Sequence, residues 1–442
     1  MDNIHKRGFA VLVLLTIVTM IGVGCRGTAV PATVTSGQVA KPTSLTIAGV
    51  AGNEAKGIKA IIPEYEKKTG IKINFIEFPY STLFEKIVTT MQAKQETFDL
   101  IMADDIWLPK FESEGWLTAL DERFNYQKDP DIFPVMYDAA TWPPPSGPII
   151  PGEASKPRHL YGITILGNVQ FFAYRSDLVS QPETWDDVIA NAKKITDPNK
   201  PLYGFALRAA AGEPSGMEFF PLMYGWGGRL FDDNWNVTVN TPEVIEALKV
   251  RQQLADLSPP GVANYDAAER AREMASGRAA QIITWPAEAA DFMENPEVSQ
   301  VMGKVAYSAP PKGPKGSFPF LGNWMLAIPV TSKNQEWAFD FLTWATSAEV
   351  QKTYALAGGI PMRKSVFTDP ELAKKFPYFP AAAEAYEVPP IVLPRTPEYI
   401  PLITIWGNHL NAMVAGIETI EDGVAKAQEE MTAHLREAGY YK

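Results

Sequence analysis

Between residues 44 and 120 the apolar pattern switches repeatedly between a period of two and a period near 3.6. That alternation restricts the fold more than any other feature of the chain. SLTIAGVAG reads as a strand running into a glycine-rich loop, and AKGIKAIIPEYEKKTG as an amphipathic helix ended by Gly70. IKINFIEFP is a second strand, with Ile71, Ile73 and Phe75 on one face. STLFEKIVTTMQAKQ is a helix that Ser81 is expected to cap, carrying Leu83, Ile87, Val88 and Met91 at helical spacing. FDLIMADD is a short buried strand ending in two acids, and WLPKFESEGWLTALDE follows as helix and turn. A βαβαβ order of this kind implies a parallel sheet wound by helices, an α/β fold. Ligands of such sheets bind beyond the carboxyl ends of the strands. Three loops qualify: Gly49–Glu54, Phe78–Ser81 and Ala103–Trp107.

Ahead of the first strand lies a different kind of sequence. His5, Lys6 and Arg7 precede an uncharged apolar run from Phe9 to Gly24. The run is shorter than the roughly 20 residues a spanning helix needs, and it has the length of a secretory signal core. Gly22, Val23 and Gly24 lead into Cys25, the only cysteine of the chain. Small residues before a cysteine resemble the bacterial lipobox, in which the thiol is acylated and the chain is cut just before it. Leu is usual three residues before that cysteine, and here the position is Gly22. The resemblance implies a signal peptide over 1–24 and a lipid anchor on Cys25. Residues 26–43 are small, polar and proline-containing, a tether composition. The folded body is expected to begin near Ser44.

About 400 residues then remain, too many for one core and suited to two lobes. A net charge of −11 argues against a nucleic-acid partner, which demands a basic face. A single cysteine excludes a disulfide framework and thiolate metal sites. The 11 Trp and 16 Tyr are the informative part of the composition. Trp107, Trp142, Trp226, Trp285, Trp324 and Trp406 sit beside glycine, proline, asparagine or acids rather than inside periodic runs. They suggest a cleft that offers ring faces to a ligand, with plugging of lobe interfaces as the competing role. TWPPPSGPIIPGEASKP is too rich in proline for regular structure.

The order of the remaining pieces resembles the family 1 extracellular solute-binding proteins of ABC importers, the maltose-binding-like group. Its carriers are FDLIMADDIWLPKFESEGWLTALDE, YGITILGNVQFFAYRSDL with PETWDDVIANAKKI, GWGGRLFDD, MASGRAAQIITWP, LGNWMLAIPVTSKNQEWAFDFLTW and GGIPMRK. The resemblance implies a two-lobed periplasmic-binding-protein-like fold with interleaved lobes and a ligand cleft at the hinge. Lobe 1 would comprise 44–168 plus 309–346, and lobe 2 would comprise 169–308 plus 347–442. The chain would cross near Asn168–Tyr174, return near Ser308 and cross again near Thr346. A monomer, lipid-anchored outside the cytoplasmic membrane, would close on a carbohydrate and deliver it to a permease, with no cofactor and no metal.

Within that frame Asp104 stands where the family places a carboxylate that accepts hydrogen bonds from sugar hydroxyls. A helix N-cap is its competing role, and Asp105 is the alternate carboxylate. Asn168 lies at the first crossing, and its amide both donates and accepts. Trp285 in ITWPAE and Trp324 in LGNWMLAI are candidates to stack on a sugar face. Arg363 after GGIP would fork onto hydroxyls or a carboxylate, or form a structural ion pair instead. Glu54, Ser81, Glu218 and Trp406 complete the ligand candidates.

A polyamine or ferric iron on the same fold remains an alternative to a neutral sugar or polyol. A lipid-anchored glycoside hydrolase is the rival class. It would need paired carboxylates, yet Asp104 and Asp105, if both lie on one strand, point to opposite faces. Histidine is scarce, and no G-x-S-x-G, H-E-x-x-H or P-loop occurs.

Overall fold

The computed structural model describes residues 40–441 apart from 198, 389, 390 and 392. The apolar leader, Cys25 and most of the tether lie outside the described residues. Among the described residues no helix is long and apolar enough to cross a membrane.

The body begins at Ser44 with β1 (Ser44–Val50), followed by β2 (Lys72–Phe78) and β3 (Leu100–Asp104). The ribbon of β4 (Thr141–Trp142) and β5 (His159–Leu160) spans the proline-rich excursion. β6 (Gly162–Leu166) and β7 (Phe171–Arg175) follow, then β8 (Gln281–Thr284), β9 (Val305–Ser308) and β10 (Trp324–Ala327).

Two main sheets result. The first has the order β2-β1-β3-β10-β6, the second β8-β7-β9. In the first sheet β1 pairs parallel with β2 and β3, as a helix-connected βαβαβ run requires. β10 enters antiparallel between β3 and β6, and it is wholly buried. Both neighbours of β7 are antiparallel. The central strands read as unbroken apolar runs because helices cover both faces.

The helix Lys56–Thr69 ends at Gly70 with φ 71°, a left-handed C-cap that glycine adopts without strain. The following helix, Tyr80–Gln92, has Pro79 at its N-cap with no side-chain cap. Ser81 therefore lies inside the first turn, exposed, which corrects its expected capping role. Helix Ala348–Leu356 packs on Lys56–Thr69. Tyr354 is the contact: a Cβ on Gly57 or Gly359 would fall within 2.5 Å of its ring.

The sheets are joined by paired chain segments. Val169 pairs with Leu321, and Phe320 with Ile391. The Gly322 amide donates to the Asn168 carbonyl at 2.9 Å, and the Gln170 amide donates to the Phe320 carbonyl at 2.8 Å.

Candidate functional site

A cleft of about 570 Å³ opens where these connecting segments meet the carboxyl ends of the first three strands. Each of the three loops singled out above contributes: Glu54 after β1, Tyr80 after β2, and Asp104, Asp105 and Ile106 at the end of β3. Across from them stand Asn168, Arg208, Glu213, Met217, Trp285, Glu288 and the run Phe320–Gly322.

One rung of the first sheet organises the near wall. Trp324 pairs with Asp104 on one side and with Leu166 on the other, and the ladder shifts register just after Trp324. The rung places the indole beside the carboxylate. Trp107 packs behind it, ring centroids 5.5 Å apart, and Tyr80 meets Trp324 edge-on at 5.8 Å. The Tyr80 hydroxyl donates to Asp104 Oδ2 at 3.0 Å, so that carboxylate is held in place from the rim.

Asp104 fills both roles weighed for it. It lines the cleft, and its Oδ1 accepts from the Ile106 amide at 3.5 Å as the cap of a short 3-10 turn. Because β3 stops at Asp104, Asp105 already belongs to that turn, and both carboxylates reach one cavity. The two side chains would point to opposite faces only if both residues lay on the strand. Burial, and then the adjoining Asp105, push the Asp104 carboxyl well above the usual carboxylate range. Burial also raises Asp105, opposed by the Arg395 guanidinium, whose Nη2 lies 3.1 Å from Asp105 Oδ2. Arg395 further donates to the Ala139 carbonyl, which ties that 3-10 turn to the end of the helix Pro134–Ala139.

The far wall is built on buried ion pairs. Arg270 joins Glu218 and Glu288 and is completely buried. Thr284 donates to Glu288 at 2.9 Å. Arg208 donates to Asp266 at 2.7 Å and to Glu213 at 3.3 Å. Trp285 meets Phe320 edge-on at 5.7 Å. The Trp285 ring lies directly against the Gly322 backbone, where a Cβ would meet it at 3.4 Å, an ordinary van der Waals contact. Asn168 Oδ1 is buried without a hydrogen-bond partner.

Of the candidate residues, Glu54, Asp104, Asp105, Asn168, Trp285 and Trp324 line the cleft. Four others do not. Arg363 is committed elsewhere: its Nη1 lies 2.8 Å from Asp129 and 3.1 Å from Asp131, and Nε donates to the Thr346 carbonyl at 2.6 Å. The structural ion pair is thus the role it takes. Glu218 is buried behind Glu288, and Trp406 is fully enclosed against Phe219. Ser81 faces outward beside Tyr80. Among the cleft residues that sequence reasoning passed over are Tyr80, Arg208, Glu213, Glu288 and Phe320. Tyr80 sat within a loop already marked. The others carry no local signal, because distant ion pairs and the hinge pairing bring them in.

Residues 51–352 match the family model described as bacterial extracellular solute-binding protein. A probable amino-acid ABC transporter periplasmic-binding protein of Sinorhizobium fredii is 26% identical over 406 residues, 88% of this chain and 89% of that protein. The mannitol-binding protein of Pseudomonas aeruginosa is 25% identical over 430 residues, 90% of this chain and 94% of that one. Among solved structures, an ABC transporter solute-binding protein of Agrobacterium radiobacter in complex with ribitol superposes with a TM-score of 0.74. It is 28% identical, covering 89% of this chain and 100% of the other.

Proposed function

The chain belongs to the bacterial extracellular solute-binding proteins, and from that premise we propose that it captures a sugar or polyol outside the cell for an ABC importer. The observation that carries this is the pairing, in one cleft, of aromatic faces with hydrogen-bonding groups, of which Asp105 Oδ1 and Asn168 Oδ1 have no partner. Trp285 and Trp324 offer rings to the C–H faces of a carbohydrate, and Asp104, Asp105, Glu54 and Asn168 offer acceptors to its hydroxyls. The mannitol-binding relative and the ribitol-bound structure support a polyhydroxylated ligand.

The mechanism follows from the architecture. The hinge segments carry their own lining residues, Asn168 and Phe320–Gly322, so a ligand touching them bridges both walls and favours the closed arrangement. Closure desolvates the ligand, which strengthens each polar contact. The division into lobes is proposed in adjusted form. The return crossing fits 320–322 better than Ser308, since β9 still belongs to the second sheet. Helix Ala348–Leu356 goes with the first lobe, on which it packs. Cys25 is proposed as a diacylglyceryl anchor, and the protein as a monomer. A Cys25→Ser variant released from the membrane fraction supports the anchor; unchanged retention overturns it.

The test is a thermal-shift series with sugars and polyols. A ligand at 100 times its Kd adds about 2.7 kcal/mol of stability. A saturable shift with one carbohydrate, lost in Trp324→Ala, supports the reading. Silence across the carbohydrates with a shift from spermidine or a ferric chelate overturns it.

A further inference from the structure

Among the described residues the cations around the cleft are all paired, while two of its carboxylates, Glu54 and Asp104, are not. Arg208 is taken by Glu213 and Asp266, Arg270 by Glu218 and Glu288, and Arg395 by Asp105. Lys56, on the adjoining rim, is paired with Asp291 at 3.5 Å. Glu54 and Asp104 line the cavity with no ion-pair partner among the described residues, and the one side chain donating to Asp104 is the neutral Tyr80 hydroxyl. A second observation points the same way. Asp105 lines the cleft at only 5% exposure, and its Oδ1 has no hydrogen-bond partner. Against these acceptors stand the rings of Tyr80, Trp285 and Trp324, whose faces attract a cation as well as a C–H surface.

A neutral ligand that fills this space removes water from unpaired carboxylates and gives them no countercharge, which is costly unless they take up protons. A ligand bearing one positive charge removes that penalty. We propose that the ligand of this cleft carries a protonated amine on its hydroxylated skeleton, an amino sugar or amino polyol, with Asp104 and Glu54 as its countercharge. This rests on the carbohydrate reading above and narrows it. The rings then serve both halves of the molecule, packing on its C–H face and facing its ammonium. Burial raises both carboxyls above their usual range, so their charged forms gain most from a cation placed beside them.

Matched pairs test it on the full-length protein at pH 7: D-glucitol against 1-amino-1-deoxy-D-glucitol, D-mannitol against its 1-amino analogue, and D-glucose against D-glucosamine. Titration calorimetry at low and moderate salt reads the affinities. The expected result is at least tenfold tighter binding of the amine member of one pair, and weakening of that binding by salt. Asp104→Asn should shrink the preference between the pair members. If that variant fails to fold, Glu54→Gln makes the same test from the other side of the cleft. Equal or tighter binding of the neutral member overturns the amine and leaves the carbohydrate reading standing. No response to any pair, or a response to spermidine alone, overturns the carbohydrate reading and the amine with it.

Discussion

Glu112 shows what a single buried carboxyl does away from the cleft. It lies in the helix Leu108–Ser113 with Oε1 lacking any partner, and burial pushes its carboxyl up to about 8. Unfolded, such a group titrates near ~4.3. Between these values the native state holds a proton that the unfolded chain has lost, so stability falls as pH rises through this window, by about 1.4 kcal/mol per pH unit from this group alone. Glu112→Gln cannot titrate. Its melting temperature should match that of the parent near pH 4–5 and exceed it increasingly up to pH 8, and parallel curves at every pH would refute the assignment. Trp324→Ala, by contrast, should leave the fold intact and weaken ligand binding by tenfold or more, since a buried aromatic at a contact centre carries much of the affinity. Residue type and strand-end position made Asp104, Trp285 and Trp324 legible in the sequence. The same logic misplaced Arg363, because nothing local says that Asp129 and Asp131 will fold back against it.

Helices and loops set the spacing between those residues. The helices Glu213–Gly225 and Tyr399–Val414 approach so closely that a Cβ on Gly407 would sit 1.7 Å from the Gly212 carbonyl oxygen. Backbone cannot yield as a side-chain tip can. Gly407→Ala should therefore destabilise the protein by at least ~1–3 kcal/mol in denaturant melts, and it should disturb Glu213, the next residue after Gly212. A second element-scale contact crosses the cleft rim. Asn53 and Lys56, after β1, both reach Asp291, after β8. These groups are partly exposed, so their worth to global stability is below ~1 kcal/mol, but they join the two walls directly. Asp291→Ala should speed ligand release several-fold in stopped-flow measurements with little change in melting temperature, and an unchanged release rate would show that this contact plays no part in closure. The elements themselves were readable from periodicity, since period and cap residues are local. Their partners were not: neither the antiparallel entry of β10 nor the docking of Ala348–Leu356 on Lys56–Thr69 leaves a mark in a short window.

Over the whole molecule, the two main sheets are tied together by the pairing of three distant stretches, around Val169, Leu321 and Ile391. A ligand that bridges the walls should lower the radius of gyration in solution scattering, and an unchanged profile at saturation would argue for a rigid cleft. The two-lobed architecture could be named from the order of motifs because the family resemblance spans nearly the full body, whereas the pairings between the connecting segments, Val169 with Leu321 and Phe320 with Ile391, join residues too far apart in sequence for any local pattern to show. Those pairings also carry a timetable. β10 takes the place between β3 and β6, and it leaves the ribosome only when about three-quarters of the chain has been made. Until then β3 and β6 have no common neighbour, and the first core cannot close. The first sheet therefore stays open through most of synthesis, and its closing rung joins Trp324 to partners more than 150 residues earlier, a long-range contact of the kind that slows folding.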